Sequence, residues 1–149
     1  MTTLENIETA ALVRGDSRAD ARAKAKELLR DFSLERHSDE MCGTLSYGDK
    51  RRVEIARALA AEPSFLFLDE PAAGMNVAET DALLDILRAL PTERSLGLLI
   101  IDHDMNLIMR LCDRLQVISS GRTIAEGSAE EVRTNHDVIE AYLGSGADD

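Results

Sequence analysis

The sequence predicts an α/β fold with a parallel sheet, preceded by a helical segment. Two short apolar runs, 65–68 and 97–101, each stop at acidic residues, and a helix-forming stretch lies between them. Runs of this length and composition are typical of strands that are buried on both faces of a parallel sheet. The alternation of strands and helices as far as residue 112 favours the same fold class.

The part before the first strand is predicted to be helical. Residues 16–32 place apolar side chains on one helical face, and either Asp16 or Ser17 can cap the start of this helix. A second helix is predicted over 46–61, and Pro63 follows its end. We therefore expect two helices to lead into the sheet.

The elements after the first strand follow from the same patterns of periodicity and turn residues. In chain order they are helices over about 77–90 and 105–112, strands over 115–118 and 123–125 joined by a turn at Ser120-Gly121, and short helices near 128–134 and 136–143.

Composition and charge exclude several classes of protein. The chain has 149 residues, 44% of them apolar and 30% charged, which is a normal balance for a globular domain. The net charge of −11 argues against a general nucleic-acid-binding protein. The two cysteines lack metal-ligand spacing, and no apolar run approaches the roughly 18 residues of a membrane span. We expect a cytoplasmic protein that contacts a membrane only through a partner.

Acidic and imidazole groups follow both predicted strands. Asp69 and Glu70 come after the first strand, and Asp102 and His103 come after the second. Because ligands of open α/β sheets bind beyond the carboxyl ends of the strands, we expect these groups to share one edge. A carboxylate pair there suits a Mg²⁺–phosphate ligand, with one acid for the metal shell and one to orient water. The alternative is that the acids merely begin a turn.

The start of the helix at 46–61 is the most informative stretch. Ser46 is a good N-cap, and Gly48 leaves the backbone of the first turn open to approach. A helix N-terminus with a hydroxyl and free N–H groups attracts phosphate oxygens. The alternative is an ordinary capped helix with a solvated face at 50–52. Asp49 would slightly repel a phosphate, so these residues alone leave both interpretations open.

Four ordered segments resemble the ABC ATPase family. Residues 45–59 resemble the signature motif and its helix, and 65–71 resemble the Walker B strand with its catalytic glutamate. Residues 72–76 occupy the D-loop position, and 100–105 resemble the switch-histidine segment. Their order and spacing match the family over about 45–125, and four ordered motifs are far more specific than one.

The resemblance implies a role for each site residue. In this family two ATP molecules are sandwiched, each between the P-loop of one subunit and the signature of the other. Asp69 would support Mg²⁺ through water, Glu70 would polarise the attacking water, and His103 would hold the γ-phosphate and orient that glutamate. The implied signature contacts, made in trans, are Leu45, Ser46, Tyr47, Gly48 and Asp49. The implied D-loop residues are Ala73, Gly74, Met75 and Asn76.

Finer features resemble the ATPases of branched-chain amino acid importers. They are residues 69–76, Cys112-Asp113-Arg114 and the tail over 124–144. The implied partners are transmembrane permease subunits and a second ATPase subunit at the inner face of the membrane, with no nucleic acid and no direct insertion into the bilayer. ATPases of lipopolysaccharide export or urea uptake look similar, and a non-catalytic module in which 16–61 docks a permease is a further alternative.

One motif of the family does not occur among these residues. The chain contains no G-x-x-x-x-G-K-[ST] sequence, the phosphate-binding Walker A motif. We therefore expect a partial P-loop NTPase core, with a helical signature subdomain over 1–62, the C-terminal half of the core over 63–126 and a helical extension over 127–149. We also expect this chain alone to bind ATP weakly or not at all, and its strands to expose an apolar face or edge.

Overall fold

The computed structural model describes residues 1–143, which form two compact units. The first unit runs from Met1 to Ile101, and the second begins at Asp102. The first unit contains helices α1 (Thr3–Arg14), α2 (Arg18–Asp31), α3 (Tyr47–Ala60) and α4 (Val77–Arg94), strands β1 (Phe65–Asp69) and β2 (Gly97–Ile101), and 3₁₀ turns at Glu35–His37 and Cys42–Thr44. The second contains α5 (Met105–Leu111), β3 (Leu115–Ser119), β4 (Arg122–Gly127), α6 (Ala129–Arg133), α7 (His136–Val138) and a π-helical turn at Ile139–Leu143.

Three helices at the N-terminus pack on one another. Helix α2 begins after Ser17 and α3 after Ser46, and each serine side chain accepts a hydrogen bond from the amide three residues on. These starts confirm the predicted caps. Helix α1 was not predicted, although Thr2 and Glu5 form a reciprocal capping box at its start. The buried residues at the centre of the helical part are Ile7, Ala11, Ala21, Ala25, Leu28, Phe32 and Leu34.

Strands β1 and β2 form a two-stranded parallel sheet, as the sequence predicts. The register pairs Phe65 with Gly97 and Asp69 with Ile101, so both strands end at the same edge. The prediction that the first strand is buried on both faces is wrong for this chain. Leu66 and Leu68 are buried, whereas Phe65 is 66% exposed and Phe67 is 69% exposed. Successive side chains point to opposite faces, and within residues 1–143 only one face is covered.

The uncovered face continues onto β2. Leu99 is 51% exposed and Ile101 is 63% exposed. The prediction that these strands expose an apolar face is thereby confirmed. We call Phe65, Phe67, Leu99 and Ile101 the open face.

Helix α4 extends four residues beyond its predicted end at 90. Pro91 lies inside the helix near its C-terminus, and Ser95 ends the helix in a left-handed conformation. A proline removes one intrahelical hydrogen bond. The buried stripe of Leu83, Leu84, Leu87 and Leu90 holds the preceding turns in place, so the last turn continues past the proline.

The second unit has its own small core. Strands β3 and β4 form an antiparallel hairpin whose turn lies at Ser120-Gly121, as predicted. The core residues come from the hairpin and the short helices, namely Leu115, Val117, Ala125, Val132 and Val138. The predicted helix over 136–143 is α7 followed by the π-helical turn. Gly144, the last residue of the predicted importer-like tail, lies outside the described residues. Among the helices that the structure describes, none is both long and apolar enough to cross a bilayer.

Candidate functional site: the signature turn and the carboxyl edge of the sheet

Residues 46–48, which we call the signature turn, form the N-terminus of α3. Ser46 has a non-helical backbone conformation, and its Oγ accepts a hydrogen bond from the Asp49 amide at 3.1 Å. Helix geometry leaves the first amides of α3, those of Tyr47 and Gly48, without an intrahelical acceptor. Leu45 is buried just before this turn, while Ser46 and Tyr47 face solvent. The turn therefore presents a hydroxyl group and main-chain donors, as an anion-binding helix start does.

Asp49 is held inside the protein rather than displayed to solvent. Its carboxylate accepts a hydrogen bond from Ser46 Oγ at 2.8 Å and pairs with Arg52 at 2.6 Å. His37 Nε2 lies 3.6 Å from the same carboxylate. Arg52 also donates to the carbonyl of Phe32 at 3.1 Å, which ties the signature helix to the end of α2. Pairing with Arg52 offsets the negative charge that would otherwise repel a phosphate.

The D-loop packs directly against the signature turn. A Cβ added at Gly48 would lie 3.1 Å from Glu79 Oε1, so a larger residue there would push this flexible side chain aside by a few tenths of an ångström. Gly74 has a φ of +75°, and a Cβ there would lie 3.3 Å from the ring of Tyr47. Asn76 caps α4 in a reciprocal pair with Glu79. The structure thus brings the predicted signature and D-loop residues together, with Ala73 exposed and Met75 half-buried in the same loop.

The predicted Walker B acids lie at the carboxyl edge of the sheet. Asp69 is the last residue of β1 and is exposed, and Glu70 follows it. The amide of Glu70 donates to the carbonyl of Ile101 at 2.8 Å, which extends the strand pairing by one step. Glu70 has a φ of +43°, a left-handed conformation that is uncommon outside glycine and is often found at functional sites. The fully buried Pro71 anchors the chain after this turn.

The switch-histidine segment begins the second unit. Asp102 follows Ile101 directly, and its side chain is only 5% exposed. It accepts a hydrogen bond from the Asp104 amide at 2.9 Å, and Asp104 in turn caps α5. The His103 side chain is 79% exposed, with Nδ1 3.9 Å from Asp102 Oδ1. Asp102 is therefore a structural acid of the turn, and His103 is the group that it presents to solvent.

Two arginines next to the signature turn were not given roles from the sequence. Arg52 holds Asp49, a contact that the i, i+3 spacing of an acid and a base on one helix could have indicated. Arg51 donates to main-chain carbonyls at the end of β1, and no pattern in the sequence signals such a contact. The alternative interpretation of this stretch, with a solvated face at 50–52, does not fit the structure, because all three residues are half-buried.

The residues at the sheet edge fit a Mg²⁺ ion that is bound mainly by other ligands. Within residues 1–143, no three His, Cys, Asp or Glu side chains gather into a metal-binding group. Mg²⁺ in nucleotide sites usually keeps several waters and is held by one or two carboxylates together with substrate phosphates. Asp69 supplies one such carboxylate, which leaves the adjacent Glu70 for the water.

Two family models match separate parts of the chain. The model described as "ABC transporter" matches residues 1–73, which include the signature turn and the Walker B acids. The model described as "Branched-chain amino acid ATP-binding cassette transporter" matches residues 122–148. Together they cover both ends of the resemblance.

Known proteins match almost the whole chain. The high-affinity branched-chain amino acid transport ATP-binding protein LivG of Salmonella typhimurium is 42% identical over 138 residues, which are 93% of this chain and 53% of LivG. The lipopolysaccharide export system ATP-binding protein LptB of Haemophilus influenzae is 38% identical over 145 residues, which are 97% of this chain and 60% of LptB.

A solved structure of an ATP-binding cassette has the same fold. MJ1267, an ATP-binding cassette of an ABC transporter in its ADP conformation, superposes with a TM-score of 0.80 at 29% identity, over 97% of this chain and 63% of MJ1267. The chain spans about half the length of the curated relatives that it matches. The signature turn, the Walker B acids, the family models and the relatives agree, and the chain belongs to the ATP-binding cassette family of ABC transporters.

Proposed function

We propose that this chain provides the signature turn, the Walker B acids and the switch histidine of an ATPase subunit that drives branched-chain amino acid import. The observation that carries the proposal is that the signature turn and the Walker B acids belong to one packed unit. Tyr47 contacts the D-loop, and the acids lie at the carboxyl edge of a parallel sheet. The LivG similarity and the match at 122–148 favour branched-chain amino acids as the cargo.

The proposed chemistry is hydrolysis of the γ-phosphate of ATP, in which positioning and electrostatic stabilisation supply most of the catalysis. Ser46 Oγ and the Gly48 amide contact the γ-phosphate of an ATP held by a second subunit. Glu70 orients the attacking water, and His103 supports that water and the γ-phosphate. Asp69 would hold Mg²⁺ through water, and the bound ion would supply positive charge that offsets the charge of the phosphates.

The proposed setting is a dimer of ATPase subunits on transmembrane permease subunits at the cytoplasmic face of the membrane. Because the 149 residues contain no Walker A sequence, the phosphate cradle of the working site is contributed by other residues. The chain by itself is therefore expected not to turn over ATP.

A chimera tests this proposal. The part of Salmonella LivG that lies outside the matched region is joined to residues 1–149, and the chimera is placed in a strain that lacks LivG. We expect Mg²⁺-dependent ATPase activity and restored leucine uptake. Glu70→Gln in the same chimera is the control, and it should abolish turnover while leaving assembly with the permease intact. Folded chimeras that hydrolyse ATP equally well with and without Glu70→Gln would contradict the proposed role of Glu70.

Lipopolysaccharide export is the second candidate, because the LptB similarity extends over 97% of this chain. The corresponding chimera with the part of LptB that lies outside the matched region is introduced into cells depleted of LptB. Rescue of these cells without rescue of leucine uptake would favour export as the cargo class and would overturn import.

A further inference from the structure

One guanidinium group contacts three consecutive main-chain carbonyls at the end of β1. Arg51, in the second turn of α3, donates from Nε to the carbonyl of Pro71 at 3.3 Å. Its Nη2 donates to the carbonyls of Asp69 and Glu70, the latter at 3.3 Å. Its Nη1 pairs with Glu54 at 3.0 Å. Most of the hydrogen bonds that the Arg51 guanidinium donates therefore go to main-chain carbonyls rather than to a side chain.

The main chain that Arg51 holds is strained. Glu70 lies in the left-handed region with a φ of +43°. Such conformations persist only when their surroundings over-determine them. This turn is restrained by the hydrogen bond from the Glu70 amide to Ile101, the hydrogen bond from the Ala73 amide to the Glu70 carbonyl, the burial of Pro71 and the donors of Arg51. The donors of Arg51 come from the signature helix.

We propose that Arg51 is a positioning residue that fixes the main chain of 69–71 to the signature helix. The planar guanidinium suits this task because it presents several donors in a rigid arrangement, which a lysine ammonium does not. The Arg51 side chain is 26% exposed, so solvent screens these bonds only in part.

The consequence for catalysis rests on the proposed function. In the proposed dimer the signature turn of one subunit acts on the ATP of its partner, whereas Glu70 acts on the ATP of its own subunit. Arg51 then links the two ATP sites. The signature helix contacts the γ-phosphate at one site, and through Arg51 it also restrains the backbone of Glu70, which acts at the other site. The backbone restraint itself does not depend on ATP hydrolysis.

The competing explanation is an ordinary surface ion pair between Arg51 and Glu54 on one helix. The Glu54 side chain is 54% exposed, and pairs of this kind contribute little. The variant Glu54→Gln distinguishes the two explanations, because it removes the ion pair and leaves the carbonyl contacts in place.

Amide hydrogen exchange on the 149-residue chain, measured by NMR without nucleotide, tests the proposal. The reporters are the hydrogen-bonded amides of Glu70, Ala73 and Met75. Arg51→Gln should accelerate their exchange roughly tenfold, since hydrogen bonds to a charged group are lost. Arg51→Lys should give an intermediate effect. The matched controls Glu54→Gln and Arg57→Gln should leave these rates unchanged.

A second measurement uses only the wild-type chain, so its result does not depend on whether a variant folds. In the wild-type chain, the Arg51 Nε–H resonance should exchange with water roughly tenfold more slowly than that of Arg57, which lies on the same helix and has only a 3.4 Å contact with Asn6. Equal exchange of these two resonances, or unchanged amide rates at 70–75 in folded Arg51→Gln, would overturn the proposal. Because no nucleotide is present, an inactive chimera would refute the proposed function without touching this result.

Discussion

The two sheets described in this chain differ in how completely their apolar faces are covered. The β3–β4 hairpin lies in a unit whose core is filled by neighbouring segments, with Val132 and Val138 packing beneath it. The parallel pair β1–β2 covers one face only and leaves the open face exposed. The sequences differ in the same sense: β1 and β2 are apolar at nearly every position, whereas β3 and β4 mix apolar with polar residues.

The difference follows from how strands are connected. An antiparallel hairpin closes with a two-residue turn, and its partners lie nearby in sequence. Parallel strands need crossover connections, and parallel sheets are normally covered on both faces. The open face is thus the expected result when a parallel pair lacks a second covering layer, and it is where this chain is most vulnerable to association.

The largest expected effect concerns the open face. We expect the isolated chain to self-associate, because contiguous exposed apolar surface favours contact between copies. The double variant Phe65→Thr, Phe67→Thr should weaken association about a hundredfold or more, since each buried phenyl ring contributes about 1.5–3 kcal/mol and about 1.4 kcal/mol corresponds to a factor of ten. Sedimentation velocity over a concentration series measures this.

The hairpin supplies the matched control for this experiment. Ile118 on β3 is 55% exposed, and Ile118→Thr should change association little. A monomeric wild-type chain with a single cooperative melting transition would contradict the expectation.

Two neighbouring residues on β1 allow the covered face and the open face to be compared directly. Leu66, which is 5% exposed, lies on the covered face of β1, whereas Phe67 lies on the open face. Leu66→Ala should lower the free energy of unfolding by about 2–5 kcal/mol, as is usual for a leucine core truncation. Phe67→Ala should change it by only about 0.5 kcal/mol. Urea denaturation at a concentration where the chain is monomeric compares them, and equal losses would mean that both faces are packed.

Cys112 reports on packing in the second unit. The thiol is partly buried against the hairpin core, and burial, followed by the charge of Asp113, raises its pKa above the ordinary 9.0. Because the thiolate is the reactive form, Cys112 should be alkylated slowly at neutral pH. Its rate should still be rising with pH near 9. Iodoacetamide kinetics on a Cys42→Ser variant measure this, and a rate plateau below pH 8.5 would contradict it.

The smallest expected effect lies at the start of α6. Hydrogen bonds from the Ser128 amide and hydroxyl lower the pKa of Glu131 below its ordinary 4.5. A lowered folded-state pKa stabilises the fold above the unfolded value, and this contribution is lost as the pH falls from about 4.5 through the folded value. The free energy of unfolding should therefore differ slightly less between pH 7 and pH 3 in Glu131→Gln than in the wild-type chain. Urea denaturation at the two pH values measures this. An identical pH dependence in both proteins would argue against the capping box.

The sequence predicted the elements whose signals are local. Ser46 as a cap, the strand at 97–101 and the turn at Ser120-Gly121 follow from residue type and periodicity, and the structure confirms them. Helix α1 had an equally local signal, since Thr2 and Glu5 form the S/T-x-x-E pattern and Leu4 and Ile7 share a face.

Features that depend on tertiary contacts could not be predicted in this way. The exposure of Phe67 depends on which layers cover the sheet, and the contact of Gly48 with Glu79 depends on how two helices meet. The carbonyl contacts of Arg51 have no sequence signature, because main-chain acceptors are the same at every residue. The residue types of the site could be predicted from the sequence, but the contacts that support them could not.

If the signature turn at 46–48 and the acids at 69–70 act on a nucleotide whose phosphates are held chiefly by other residues, the 149-residue chain should bind Mg-ATP weakly. Calorimetric titration of this chain with Mg-ATP measures the affinity. We expect no binding in the micromolar range. A dissociation constant in the micromolar range would show that these residues hold the nucleotide by themselves.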